Sequence, residues 1–168
     1  MAKKKHDKGA GSTPATVQLE KAGVEFHVYE YEHSNDHMDD GYGVEASTKL
    51  GFDEHQVFKT LMADTGTERV VGVVPVSGHM DLKALAAAVG AKKATMADPK
   101  VAMRESGYVV GGISPLGQRT HHRTVLDESA LRYDEILLSG GKRGFSIGIN
   151  PNDLIAVLDA VVAPIGTW

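Results

Sequence analysis

The chain has 168 residues, of which 42% are hydrophobic and 24% are charged, a balance typical of one globular domain with a core of useful size. No apolar run approaches the roughly 20 residues that a membrane-spanning helix needs. The basic start at residues 1–6 lacks the apolar stretch of a secretory signal. We therefore expect a cytoplasmic protein with no membrane partner.

The absence of cysteine excludes disulfides, thiolate metal sites and a cysteine nucleophile. The net charge is −4, but residues 1–10 carry +3, which leaves −7 for the rest of the chain. An acidic body argues against DNA and against broad non-specific RNA binding, because such binding depends on neutralising phosphates. Local contact with one end of an RNA is still compatible with this charge.

The first part of the chain divides into a tail and a folded region. Residues 1–12 are small, basic and rich in Gly and Ser, which predicts a disordered leader before a single domain over 13–168. Thr13 followed by Pro14 is typical of a helix start, and Gly23 is typical of its end. The next predicted elements are a strand at 25–31, a loop at 32–43, a short helix at 44–50 and a strand at 56–63.

The second part of the chain continues this mixture of strands and helices. The nearly continuous apolar run at 70–74 predicts a strand buried on both faces. Further predicted elements are helices after Asp81, Asp98 and Asn150, the last reaching Val161, and strands at 93–96, 135–138 and 144–149. Because the order does not alternate strictly, the fold class is predicted to be α+β, with a central mixed sheet flanked by helices.

Lys59 is unusual because it shares one face of a predicted strand with apolar neighbours at 57 and 61. Such a lysine either extends to water at a sheet edge or keeps its charge for a ligand. An ammonium group suits a carbonyl oxygen or a phosphate, since it is a compact charge with three donors. Both interpretations stay open on the pattern alone.

Two glycine-rich segments could present backbone N–H groups to a ligand. The segment 111–117 could stabilise an oxyanion or form only a tight turn. Its spacing differs from the Gly-x-Ser-x-Gly elbow, so a triad built on Ser114 is disfavoured. The segment 139–144 combines glycines with Lys142 and Arg143, which suits a phosphate or an RNA 3′ end as well as a basic hairpin turn.

Other polar residues give weaker signals. A loop of metal-compatible side chains is better explained as solvated, and His121-His122 as an exposed turn, so we predict no metal and no cofactor. No convincing nucleophile–base pair is present, which means that positioning, backbone donors and the substrate's own groups would carry any hydrolysis. The loop side chains are His33, Asp36, His37, Asp39 and Asp40.

Four segments together resemble the YbaK/EbsC family of aminoacyl-tRNA deacylases. They are Val-Phe-Lys-Thr-Leu at 57–61, Asp-Leu-Lys at 81–83, the stretch 107–117 with its Gly-Gly-Ile-Ser-Pro, and Ser-Gly-Gly-Lys-Arg-Gly at 139–144. The resemblance covers about 13–162. It implies a curled mixed sheet and trans-editing of mischarged tRNA, with Cys-tRNA(Pro) as the expected substrate and with the substrate thiol attacking its own ester.

The resemblance also implies the site residues and the partners. Lys59, Gly111 and Gly112 would be catalytic, with Lys59 orienting the aminoacyl ester or the terminal nucleotide and the glycines supplying backbone donors. The implied substrate-binding residues are Tyr31, Thr60, Tyr108, Ile113, Ser114, Pro115, Ser139, Gly140, Gly141 and Ser146. The expected partners are the aminoacyl-tRNA acceptor end and, as a candidate, prolyl-tRNA synthetase.

The sequence departs from the family pattern at Ser146, where the deacylases usually have an aspartate. If that aspartate contacts the substrate, Ser146 would weaken the contact or shift the preference. Two alternatives therefore stay open: a deacylase of Ala-tRNA(Pro), and a non-catalytic module that binds tRNA or a synthetase. The leader and the longer 36–43 loop also lie outside the pattern.

Overall fold

The computed structural model describes residues 3–5, 12–33 and 41–168. The helices are α1 (Pro14–Ala22), α2 (Tyr42–Leu50), α3 (Leu82–Ala88), α4 (Pro99–Ser106) and α5 (Pro151–Leu158), with a 3₁₀ helix at Glu128–Arg132. The strands are β1 (Lys3–Lys5), β2 (His27–Glu30), β3 (Phe58–Asp64), β4 (Arg69–Pro75), β5 (His79–Met80), β6 (Thr95–Met96), β7 (Arg123–Asp127), β8 (Ile136–Lys142), β9 (Phe145–Ile149), β10 (Val161–Ala163) and β11 (Gly166–Thr167).

The predicted helix starts are confirmed, and each depends on a capping side chain. Thr13 caps α1 in a reciprocal arrangement with Thr16, and Asp98 and Asn150 accept from backbone N–H groups at the starts of α4 and α5. Asp81 caps α3 through the N–H of Ala84. These caps satisfy N–H groups that a helix start would otherwise leave unpaired.

The strands form two main sheets. A five-stranded sheet has the order β10-β7-β4-β3-β6, with β7 parallel to both β4 and β10 and the other pairs antiparallel. A four-stranded antiparallel sheet has the order β1-β2-β9-β8, and β5 and β11 form a separate ribbon. Strand β4 lies in the middle of the first sheet and is buried over 70–75, which confirms the buried strand predicted there.

The α+β class with mixed strands and flanking helices is confirmed, although the sheet is not strongly curled. The two main sheets are joined to each other by a parallel bridge between Val57 and Leu137. Past this bridge, β3 and β8 both border one cavity, so the sheets separate there. This separation positions the site described below.

The core has three parts. The largest fills the space between the two sheets and includes Leu19, Val73, Leu126 and Ile147. A second packs α3 against the outer face of the five-stranded sheet, and a third packs α2 against Tyr29 and Leu137 of the other sheet. Within the described residues, no helix has the length and hydropathy to cross a bilayer.

The structure corrects the sequence-based interpretation at three places: the end of the last helix, strand β7 and His122. The last helix ends at Leu158 because Asp159 adopts a left-handed conformation (φ 51°), and Val161 begins β10 instead. Strand β7 was missed, since its apolar run is too short to predict a strand. His122 is buried, and its ring nitrogens lie 2.6 Å from Gln118 Oε1 and 2.9 Å from Glu105 Oε1, so it is not part of an exposed turn.

The predicted disordered leader overlaps a described strand. Residues 3–5 pair antiparallel with residues 28–30 of β2. The remainder of that segment that precedes Ser12 lies outside the described residues, so its disorder stays a prediction.

Candidate active site

A cavity of about 370 Å³ lies between β3 and β8, on the side where these strands separate. Its walls are mostly apolar, and α2, the start of α4 and the loop after Tyr108 close it. Its polar and charged lining side chains are Tyr31, Tyr42, Lys59, Thr60, Ser139, Lys142 and Ser146. This combination provides an apolar pocket with a few polar groups, as is usual for small-ligand sites.

Strand β3 places Lys59 on the cavity wall. Its backbone pairs with Val74 of β4, and its Nζ donates a hydrogen bond to the carbonyl oxygen of Gly78 at 2.7 Å. Because the side chain is half-buried, desolvation lowers the pKa of Lys59 below its usual value. The ammonium of this cavity-lining residue is therefore held by one backbone oxygen.

The neighbouring Thr60 has a side-chain hydroxyl without a hydrogen-bond partner among the described residues. Its Oγ1 is buried and has no hydrogen-bond partner in the part of the chain that the structure describes. Thr60 also lines the cavity. A buried hydroxyl without a partner costs free energy, of the order of 1–3 kcal/mol, so a bound ligand that satisfied it would gain stability.

The glycine loop forms a tight turn against α2. The N–H of Gly112 donates to the carbonyl oxygen of Val109 at 2.9 Å, and Gly111 has φ 88°, as the third position of a type II turn requires. A Cβ on Gly111 would lie 2.7 Å from the ring of Tyr42. A Cβ on Gly112 would lie 2.8 Å from Cα of Lys142. Glycine at both positions therefore permits close contact between the loop and its surroundings.

Of the two predicted donors, only the Gly111 N–H is available. The Gly112 N–H is already used by Val109, whereas the hydrogen bonds among the described residues include none from the Gly111 N–H. Gly111 and Ile113 line the cavity, and Gly112 does not. The donor role of Gly112 stays a prediction. The bond that its N–H already makes to Val109 does not favour that role.

Three predicted substrate-binding residues lie behind Gly111 and Ile113, the part of the loop that lines the cavity. The buried Tyr108 donates its hydroxyl to the carbonyl oxygen of Leu116 at 2.7 Å, and burial raises the pKa of Tyr108 to about 12. The Oγ of Ser114 is buried and accepts from the Leu116 N–H at 3.2 Å. Neither these residues nor Pro115 line the cavity. They support the loop, and their contact with substrate stays a prediction.

The β8–β9 hairpin supplies the opposite wall. Ser139 and Ser146 are paired across the hairpin and both line the cavity, and the register shifts between Ser139 and Lys142. Gly140 and Gly141 lie outside the lining, where a Cβ on Gly140 would overlap the ring of Phe145. The hairpin glycines thus let other side chains pack closely.

The structure brings seven predicted residues together around the cavity. They are Tyr31, Lys59, Thr60, Gly111, Ile113, Ser139 and Ser146. The backbone N–H of Tyr31 donates to the carbonyl oxygen of Gly144 at 3.0 Å. Burial, and secondarily the carboxylate of Glu45, raises the pKa of the Tyr31 hydroxyl. Tyr31 is therefore a neutral donor at physiological pH.

Tyr42, Lys142 and Arg143 form a rim beside the cavity, of which the sequence indicated the two basic residues and missed Tyr42. The Arg143 guanidinium lies 4.9 Å from the centre of the Tyr42 ring, and its Nε donates to the carbonyl oxygen of Val110 at 2.9 Å. Lys142 Nζ lies 5.0 Å from the ring of Phe145. The signal for Tyr42 was its position between Gly41 and Gly43, at the end of a segment interpreted as a loop.

The metal alternative receives no support from the described part of the chain. His33 Nδ1 lies 2.7 Å from Glu45 Oε1, which pairs this histidine with a carboxylate. Within residues 3–5, 12–33 and 41–168, no group of three or more possible ligands could hold a metal ion. The other members of the predicted loop set, Asp36, His37, Asp39 and Asp40, lie outside the described residues.

Comparisons with known proteins identify the family of this chain. The model of the aminoacyl-tRNA editing domain family matches residues 42–157. A protein of Enterococcus faecalis, named as the Cys-tRNA(Pro)/Cys-tRNA(Cys) deacylase EbsC, is 35% identical over 168 residues, which cover 99% of each chain.

Two solved structures share the fold at lower identity. One, named as a trans-editing enzyme for prolyl tRNA synthetase, has a TM-score of 0.80 at 24% identity and covers 98% of this chain and 100% of its own. Another, the hypothetical protein APE2540, has a TM-score of 0.82 at 20% identity and covers 92% of this chain and 100% of its own. The resemblance to the YbaK/EbsC family is confirmed, and the chain belongs to the aminoacyl-tRNA editing domain family.

Proposed function

We propose that the protein removes cysteine from Cys-tRNA(Pro) by cleaving the ester between the amino acid and the terminal ribose. The observation that carries this proposal is that Lys59 and the Gly111 loop line one mostly apolar cavity. The name of the Enterococcus faecalis relative supports cysteine as the amino acid. Cytoplasmic translation is the setting that we propose for this activity.

Lys59 is the catalytic group that we propose for the ester. Its ammonium would donate to the ester carbonyl oxygen, where negative charge develops as the carbonyl carbon is attacked. Because the side chain is half-buried, this charge is screened less than it would be in water. The free N–H of Gly111 would be the second donor to the same oxygen.

The attacking group comes from the substrate in this proposal. The cysteine sulfur attacks the ester carbonyl carbon, the bond to the ribose oxygen breaks, and the thiol proton ends on that oxygen. The products are tRNA with a free ribose hydroxyl and a cyclic thioester, which water then opens. A buried, already bonded Ser114 supports the view that the protein supplies no nucleophile. Direct attack by water would instead make the enzyme a simple hydrolase.

The acceptor end of the tRNA would enter over the basic rim. Lys142 and Arg143 are exposed beside the cavity and suit the phosphates of the terminal nucleotides. The acidic charge of the rest of the chain leaves little to bind the tRNA body. We therefore propose that selection of the tRNA needs a partner, with prolyl-tRNA synthetase as the candidate.

The test is a deacylation time course with proline tRNA charged with cysteine or with alanine. We expect rapid loss of cysteine, little loss of alanine, and a cyclic thioester that can be trapped with an added amine. Loss of alanine alone would move the protein to the Ala-tRNA(Pro) activity. Binding of tRNA without loss of either amino acid would contradict the enzymatic proposal and leave a binding module.

A further inference from the structure

The contact that fixes Lys59 comes from outside the cavity. Gly78, whose carbonyl oxygen accepts from Lys59 Nζ at 2.7 Å, is buried and does not line the cavity. It lies in the turn between β4 and β5, where its N–H donates to the carbonyl oxygen of Pro75 at 3.1 Å. The orientation of the ammonium therefore depends on the position of this turn.

The turn is covered by the segment 165–168. A Cβ on Gly78 would lie 2.6 Å from the carbonyl oxygen of Thr167 and 3.2 Å from Cε2 of Trp168. The Trp168 indole also covers Gly166, where a Cβ would lie 3.1 Å from the ring. Its Nε1 donates to Ser77 Oγ at 3.1 Å, next to Gly78. Only the missing Cβ atoms let the ring lie this close to the turn.

The same segment is anchored by a buried carboxylate. Asp127 is 2% exposed, and its Oδ1 accepts from the N–H groups of Ile165 at 2.9 Å and Gly166 at 2.8 Å. Its Oδ2 accepts from the side chain of Ser129. On the other side of the segment, the Asp81 N–H donates to the carbonyl oxygen of Ile165 at 2.7 Å. The charge-assisted bonds to Asp127 fix the segment to β7, and the backbone bond from Asp81 fixes it to the start of α3.

We propose that the segment 165–168 positions the Lys59 ammonium for catalysis, with Asp127 and Trp168 as positioning residues that act through Gly78. Asp127 holds the segment, Trp168 covers the turn, and the turn presents one oxygen to Nζ. This inference rests on the proposed role of Lys59. Misplacing a catalytic group by about 1 Å is enough to lower a rate by about a hundredfold.

The first test compares Trp168→Ala, Trp168→Phe and the matched control Val162→Ala in deacylation of Cys-tRNA(Pro). Trp168 is 64% exposed, so its replacement should leave the fold intact. We expect Trp168→Ala to lower kcat about tenfold with an unchanged KM, and Trp168→Phe to restore most of the rate by keeping the ring. An unchanged kcat in Trp168→Ala, or an equal loss in Val162→Ala, would overturn the proposal.

The second test needs no substrate and decides the proposal even if the protein is not a deacylase. In the full chain labelled with ¹³C at lysine Cε, the order parameter of the Lys59 methylene is measured in wild type and in Trp168→Ala. We expect it to fall toward that of the exposed Lys92 in the variant. An order parameter that stays at the wild-type value would show that the segment does not hold Lys59.

Discussion

The α3 face of the five-stranded sheet and the β3 edge of that sheet differ in packing and in polarity. The face toward α3 is a closed core of Val70, Val74, Leu85 and Ile165, all fully buried. The β3 edge, near the separation from β8, borders a cavity that Lys59 and Thr60 line from opposite faces of the sheet, because successive residues of a strand point to opposite faces. The closed face can stabilise the sheet, while the open edge retains polar groups that a close-packed core would exclude.

The largest effect is expected from opening the closed face with Leu85→Ala. Leu85 Cδ1 packs over Gly72 of β4, and the side chain has no exposed surface. Its truncation should lower the free energy of unfolding by about 2–5 kcal/mol through lost burial and a cavity. Denaturant unfolding measures this. Deacylation at low temperature should stay near the wild-type rate, and a selective loss of activity would show that the closed core and the cavity at the β3 edge are not independent.

Leu131→Ala is the matched control for that experiment. Leu131 is 51% exposed in the 3₁₀ helix, so the same truncation should change the free energy of unfolding by roughly 0.5 kcal/mol or less. Equal destabilisation by the two variants would mean that Leu85 contributes no special packing.

In the cavity at the β3 edge, Gly111→Val should lower the deacylation rate about a hundredfold, as the loss of an oriented donor does. The new side chain would collide with the Tyr42 ring and would strain a residue at φ 88°. Gly66→Val is the control, because Gly66 has φ 93° but no neighbour within 4 Å. If both variants keep wild-type turnover, the loop is only a turn.

The pH dependence of deacylation should follow the charge of Lys59. Because burial lowers the pKa of Lys59, the ammonium loses its proton at a lower pH than an ordinary lysine does. After subtraction of spontaneous hydrolysis, the rate should therefore fall at alkaline pH before ordinary lysines titrate. The limb should be absent in Lys59→Met, and a limb that persists there belongs to another group.

The lowered pKa of Lys59 also affects the free energy of unfolding, which should rise with pH where the deacylation rate falls. Lys59 is harder to charge in the folded protein than in the unfolded chain, so between the two pKa values the unfolded chain binds more protons. The stability difference between wild type and Lys59→Met should shift in favour of wild type as pH rises through this window. Urea unfolding at a series of pH values measures the trend, and a shift in favour of Lys59→Met would contradict it.

The smallest effect is expected from Ser146→Asp, which introduces the aspartate usual in the family. Ser146 is 4% exposed and lines the cavity, so a carboxylate there could pair with the substrate ammonium. We expect KM for Cys-tRNA(Pro) to fall about threefold, within the range of a weak ion pair. Ser146→Asn keeps the shape without the charge, and the same KM in both variants would exclude an electrostatic cause.

Local chemistry made much of the fold predictable. The caps Thr13, Asp98 and Asn150 marked three helix starts, because each side chain satisfies N–H groups of its own helix. Strand β10 could not be predicted, since Val161 continues the helical spacing and only the left-handed Asp159 ends the helix. Pairing with β7, which is distant in sequence, then makes these residues a strand.

The site was predictable where a residue conflicted with its pattern. Lys59 stood out among apolar neighbours, and it does border the cavity. Tyr42 did not stand out, because its ring contact with Arg143 joins segments that are about 100 residues apart. The use of the Gly112 N–H by Val109 was also invisible, since it depends on turn geometry rather than on residue type.

The most direct test of the account is single-turnover deacylation of Cys-tRNA(Pro) by wild type, Lys59→Ala and Lys92→Ala, with thermal unfolding measured on each protein. The account predicts that Lys59→Ala loses deacylation while its melting temperature stays near that of wild type. Lys92→Ala, which removes an exposed lysine, should keep the wild-type rate. Wild-type turnover in a folded Lys59→Ala protein would contradict the central claim that the cavity at the β3 edge acts through this ammonium.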